Sequence, residues 1–313
     1  MILQAQFDLA GSAIELTGFI GSFLAAGAIG FRHTVLRHRL VRPPSCMTEE
    51  RRMHGQAAVR AAIIGIIGTV ISIGLMFSSL PQQAARQHMA VGQLITHSGS
   101  VMVQVALAIL ALVGFALAAG SISAGWLLAA AGVVAGALSA AFFGQWLRLI
   151  NPMHRLFAGF WIGTLFVLVV AGLPTVSRSR LTSEERGRAV ADMVNAFSPL
   201  ALISFAVLGI FGVITAWRHL GTLNALWTTP YGVSLIWKLL FVALVVGLGA
   251  FNWKRQTPLL GTEQASGLLR KSATAELVVA LIVLLITARL VTLPAPSEST
   301  PQPKAAASAA TTR

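Results

Sequence analysis

Eight apolar windows, each near the roughly 20 residues that a helix needs to cross a hydrocarbon core about 30 Å thick, alternate with short charged segments along this chain. They fall at residues 10–31, 57–79, 91–119, 123–144, 155–175, 198–217, 231–252 and 273–293. Hydrophobic residues make up 56% of the sequence and charged residues only 11%, more apolar surface than a soluble domain hides from water. Strand periodicity is missing, and backbone facing lipid must satisfy its own hydrogen bonds. The pattern therefore predicts an all-α, polytopic membrane bundle of about eight transmembrane helices. Between the third and fourth windows stand only Gly120, Ser121 and Ile122, which predicts a tight turn.

The net charge of +13 would suit a nucleic-acid partner, but its position along the chain argues otherwise. Fifteen of the 23 lysines and arginines lie in the loops after the first, fifth and seventh spans, among them Arg32, Arg51, Arg60, Arg178, Arg188, Lys254 and Lys271. Eight alternating spans put these loops on one side. The positive-inside rule makes that side cytoplasmic and leaves both termini outside, so the partner is a lipid bilayer and no nucleic acid is expected. The first span lacks the charged start and cleavage site of a secretory signal and is expected to remain. Cys46, the single cysteine, allows neither an internal disulfide nor a thiolate cluster.

The loops at 32–56 and 176–197 are too short and polar to enclose a core of their own. Residues 1–143 carry the first four spans, 144–294 the last four, and 295–313 read as a disordered outer tail rich in Pro, Ala, Ser and Thr. Thr182-Ser-Glu-Glu-Arg has the form of an N-capped turn and predicts a short surface helix. Gly132 and Gly136, and Gly159 and Gly163, have the four-residue spacing that lets helices approach closely.

Threaded in this way, the seven histidines separate. His33, His38 and His54 fall inside, whereas His88, His97, His154 and His219 fall at outer helix ends, with Met76, Met89, Met102 and Met153 near some of them. Imidazole with thioether suits copper. A histidine at a helix end also caps carbonyls, and methionine also fills gaps in apolar bundles. His154, preceded by Met153 and sharing a helical stripe with Ala158 and Trp161, is the leading candidate ligand; Met153, His88, Met89, His97 and His219 are auxiliary candidates.

Charged side chains inside spans face the bundle interior or a hydrated cavity. Glu15 and Lys238 lie at similar depth and are placed to pair, Arg289 is placed to snorkel, and Glu276 lies level with Asn252. Such groups serve either an ion pathway or a packing ion pair. No hydrolase triad, phosphate loop or zinc protease signature appears, so an enzyme is not expected.

Several segments follow one another in a familiar order: His154-Arg-Leu-Phe-Ala-Gly-Phe-Trp161-Ile-Gly163; Phe197-Ser198-Pro-Leu-Ala201; Thr229-Pro-Tyr231-Gly232 followed by Lys238; Asn252; and Glu276 after Arg270 and Lys271. On these motifs, residues 144–294 resemble the copper resistance D family of bacterial inner-membrane proteins. The resemblance implies copper handling, described as inward movement of copper or tolerance to it, beside a periplasmic partner of the copper resistance C type. One departure stands out. Many members carry a histidine after the glycine that precedes this stretch, whereas Gly144 is followed here by Gln145, and an amide is a poorer copper ligand than imidazole.

The expected function is thus copper transport or copper tolerance, with the ion accepted at a periplasmic His and Met cluster. A membrane electron carrier holding haem b between His97 and His154 is the first alternative. The second is a metal-free docking or assembly factor for a periplasmic copper chaperone.

Overall fold

The computed structural model describes residues 8–36, 47–256 and 263–299, and the side chains of 252–270 are not among them. Among the described residues eight helices are long and apolar enough to cross a membrane: Leu9–Val35, Thr48–Arg86, Gly99–Ala119, Ala124–Phe143, Trp146–Ser177, Ser183–Leu220, Pro230–Phe251 and Lys271–Thr292. The expected all-α polytopic bundle is the observed fold, with no strand among the described residues.

The first span is α1 (Leu9–Gly30), continued by a π-turn at Phe31–Val35. It is followed by α2 (Met47–Arg86), α3 (Val91–His97), α4 (Gly99–Ala119) and α5 (Ala124–Leu138). In the fifth span α6 (Ile150–Ala158), α7 (Thr164–Val167) and α8 (Leu173–Ser177) are joined by π-turns at Gly159–Gly163 and Leu168–Gly172. Then come α9 (Ser183–Leu220), α10 (Ala225–Thr228), α11 (Pro230–Gln256), α12 (Glu263–Thr292) and α13 (Pro296–Ser299).

Two expectations change in detail. The third window, read from residue 91, breaks at Ser98, whose extended backbone separates α3 from α4. The short surface helix expected after Thr182 is the first part of α9 itself. Thr182 Oγ1 accepts from Glu185 N–H at 3.3 Å and the Glu185 carboxylate accepts from Thr182 N–H at 2.8 Å, a capping box that starts the helix. No breaker interrupts 188–198, so the helix runs on into the membrane for 38 residues. The tight turn at Gly120 and Ser121 is present, with Ser121 at φ 66°.

α1 is the axis of the bundle. It packs against α2, the fifth span and α12, while α4 covers α2, α5 covers α4, and α11 covers α12. About half of the apolar window is buried in the first and fifth spans (56% each), against 11% in the sixth and 17% in the seventh, which turn most of their surface to lipid. Small residues make the central contact possible. A Cβ on Gly27 would meet the Gly163 backbone, one on Gly163 would meet Phe23 and Gly27, and Gly159 lies against Phe23 and Ala26. Gly132 likewise admits the α4 backbone at Leu107 and Ala111, but Gly136 faces open space and has no packing role.

The arginine-bearing end is tied together by polar bonds. Arg60 Nη1 donates to Thr175 Oγ1 at 2.9 Å and Arg180 N–H donates to Glu49 Oε1 at 3.1 Å, joining the start of α2 to the end of the fifth span. At the other end α13 packs on α9 and buries Ala295 beside it. The rest of the expected tail from residue 300, together with His38, Cys46 and the arginines at 37, 39 and 42, lies outside the described residues.

Candidate functional site

The end opposite the arginines gathers the starts of α1, α6 and α11 with the ends of α9 and α12. Ser12 and Thr292 hydroxyls meet at 3.4 Å, Thr215 Oγ1 donates to Asn151 Oδ1 at 3.5 Å, and Arg218 Nη1 donates to the Leu147 carbonyl at 3.4 Å. Because α6 and α9 run antiparallel here, His154 and His219 come to the same end. Trp146, Trp217 and Trp227 are exposed around it, as aromatic side chains at a membrane–water boundary are.

His154 is half-buried on α6 and faces α9, where its ring lies against the backbone at Leu208 and Gly212. Two turns deeper Trp161 meets Phe205 of α9 edge-on at 5.8 Å, so both residues pack toward the same helix. His154 Nδ1 is buried and makes no well-aligned hydrogen bond among the described residues, the Leu208 backbone being the nearest polar group. Leaving such an atom unpaired costs about 1–3 kcal/mol. Lys238 of α11 is half-buried within electrostatic range of this imidazole and makes no salt bridge among the described residues.

His219 sits in the last turn of α9, where Nδ1 bonds the Thr215 carbonyl at 2.8 Å. A carbonyl only accepts, so Nδ1 donates and the neutral ring keeps its lone pair on Nε2. The ring stacks flat on Tyr231, centroids 5.7 Å apart and planes 5° from parallel. The Thr229-Pro-Tyr-Gly segment explains this placement. Thr229 Oγ1 accepts from Gly232 N–H at 3.0 Å, Pro230 begins α11 where no N–H is needed, and Gly232 admits the α10 backbone at Ala225 and Leu226.

Glu15 does not pair with Lys238 as expected. Its carboxylate lies 3.5 Å from Arg155, whose guanidinium also sits 4.6 Å over the Phe19 ring. The physical reason is helix order: α1 packs on the fifth span, whereas α11 is held away from it behind α12.

The other expected ligands occupy a separate hairpin. His88 closes α2 at φ 53°, donating its N–H to Ala85 while Met89 N–H bonds Ala84, the termination for which glycine is usual. Its side chain is exposed and that of Met89 half-buried. His97 is exposed on α3, with Nδ1 bonded to the Gln93 carbonyl at 3.1 Å. α3 packs chiefly on α2 and α4. Met153 is half-buried beside His154. Among the described residues no group of three or more His, Cys, Asp or Glu side chains converges on a metal position. Glu276 turns its carboxylate toward Gly249 of α11, one turn from Asn252, whose side chain lies outside the described residues.

Two site residues escape a reading of the sequence. Arg155 looks like a boundary charge because the fifth window begins there, although its place one residue after His154 was the available signal. Ser204, fully buried on α9 with Oγ unpartnered, lies one turn inward from Leu208 and carries no signal beyond being polar within a span.

Residues 191–290 match the family model described as copper resistance protein D. A curated relative, copper transport protein CutJ of Bacillus subtilis, is 29% identical over 159 residues, covering 50% of this chain and 27% of that protein. The match thus spans about a quarter of the length of that relative. No solved structure matches the chain. Tyr231 and Glu276 fall within the stretch similar to copper resistance protein D, whereas His154 lies before it.

Proposed function

We propose that this chain handles copper at a bacterial inner membrane, either moving the ion as cargo through the bundle or conferring tolerance to it. The His154 end faces the periplasm and the arginine-bearing end the cytoplasm, by the charge rule. One observation carries the reading: His154 packs on α9 at Gly212 with its Nδ1 buried and without a well-aligned hydrogen bond. A bound ion satisfies that nitrogen and offsets the cost of leaving it bare. His219, with its lone pair on Nε2, and Met153 supply further donors at the same end, the imidazole and thioether types that suit copper.

Lys238 has a different part. A fixed positive charge beside the receiving imidazole weakens the hold on a cation, and a pathway works only if its sites let go. Below it Ser204 Oγ offers the next unpaired polar atom on α9. The exposed end, with His88, Met89 and His97 on the neighbouring hairpin, is where a periplasmic copper-binding protein of the copper resistance C type would deliver the ion.

The test is cellular copper content. Cells producing His154→Ala at wild-type levels accumulate copper as cells lacking the protein do; copper content equal to that of wild-type cells overturns the role of His154.

A further inference from the structure

At the arginine-bearing end a cavity of about 1000 Å³ opens between the end of α1, the start of α2 and the α4–α5 turn. Its charged wall has a local origin. The π-turn after α1 presents Arg32 and His33, and in the first turns of α2 Arg51 and His54 stand three residues apart on one face. Glu50 also lines the cavity. Among the lining residues two arginines and two histidines stand against one carboxylate. Glu49, the other acidic residue of this turn, is turned away toward Arg180.

The third wall adds two features. The N-terminus of α5 reaches the cavity at Ser123 and Ala124, so the positive end of a 15-residue helix faces the same space as the two arginines. The remaining surface is apolar, with Leu36, Val59, Ile122 and Leu127 among its lining. Leu127 and Ile122 are largely exposed, at 66% and 50%, and lie at the end of the apolar spans α4 and α5.

We infer that this cavity binds a phosphate-bearing anion, with the headgroup of an acidic phospholipid as the occupant that uses both walls. The arginines and the helix N-terminus hold the phosphodiester, and the glycerol and first acyl carbons lie along Ile122 and Leu127. Arginine is suited to this by its planar fork of donors. Free inorganic phosphate would use the charged wall alone. The site is independent of the copper reading, since it involves the opposite end of the bundle.

The experiment uses the full chain purified from membranes into mild detergent. Native mass spectrometry counts phosphatidylglycerol retained per chain, and calorimetry measures inorganic phosphate binding to delipidated protein. The variants are Arg51→Glu, which alters an exposed side chain and leaves folding intact, and the pair Arg32→Gln with Arg51→Gln; Arg188→Gln, at a surface arginine bonded to Glu184, is the control. Wild type and control retain phosphatidylglycerol, and both cavity variants lose it about tenfold. Phosphate binding lost in the same variants, without lipid retention, supports the site with free phosphate as its source. Retention of lipid by the variants at the wild-type level, or binding of neither probe by the wild type, overturns the inference.

Discussion

Glu15 and Arg155 form an ion pair at 3.5 Å between the first and fifth spans, and the same guanidinium covers Phe19 at 4.6 Å. One arginine therefore fastens two successive turns on one face of α1. The two partners are unequal. Glu15→Gln removes only the ionic part of a contact whose side chains are about two-fifths exposed (42% and 35%), and solvent screening holds that part to about 0–1 kcal/mol. Arg155→Ala removes the cation–π contact and its packing as well, adding about 0.5–1 kcal/mol. Unfolding measured in detergent should show the arginine variant less stable than the glutamine variant.

The contact of α1 with the fifth span depends on Gly27 and Gly163. Adding a methyl group at either drives it into backbone, which cannot yield as a side chain does. Gly163→Ala and Gly27→Ala are expected to lose about 1–3 kcal/mol of stability, as overpacked sites do. Gly136→Ala, into open space, should change stability by less than about 0.5 kcal/mol. Thermal unfolding of the three variants in one detergent checks the order.

His88 separates a structural from a metal-binding role. Its φ of 53° is a conformation that costs a non-glycine residue about 1–2 kcal/mol. His88→Gly should stabilise the end of α2, visible as slower amide exchange there, with copper accumulation unchanged. A loss of accumulation would return His88 to the ligand set.

The number of spans was legible because lipid imposes a length and an apolar composition on each crossing, and the turn at Gly120 was legible because three residues leave no other connection. The placement of His88, His97, His154 and His219 at the bundle end opposite His33 and His54 was legible for the same reason: it needs only the count of crossings. What escaped was everything set by which helix packs on which. Glu15 and Lys238 share a depth, but depth along the bundle says nothing about azimuth, and α1 turned out to face Arg155. The extension of α9 back to Ser183 escaped because a cap marks where a helix begins and not how far it runs. The backbone angle of His88 also escaped, since a left-handed φ has no signature when the residue is not glycine. Tyr231 was found by its motif, while its stack on His219 depends on α10 bringing two chain segments together.

Copper affinity of the purified chain tests the central claim most directly. Titration with copper under matched reducing and oxidising conditions, on wild type, His154→Ala and His97→Ala, compares the buried imidazole packed on α9 with an exposed one bonded to the Gln93 carbonyl. The account predicts a loss of at least about tenfold for His154→Ala, with wild-type affinity for His97→Ala. Equal copper binding by wild type and His154→Ala would contradict it.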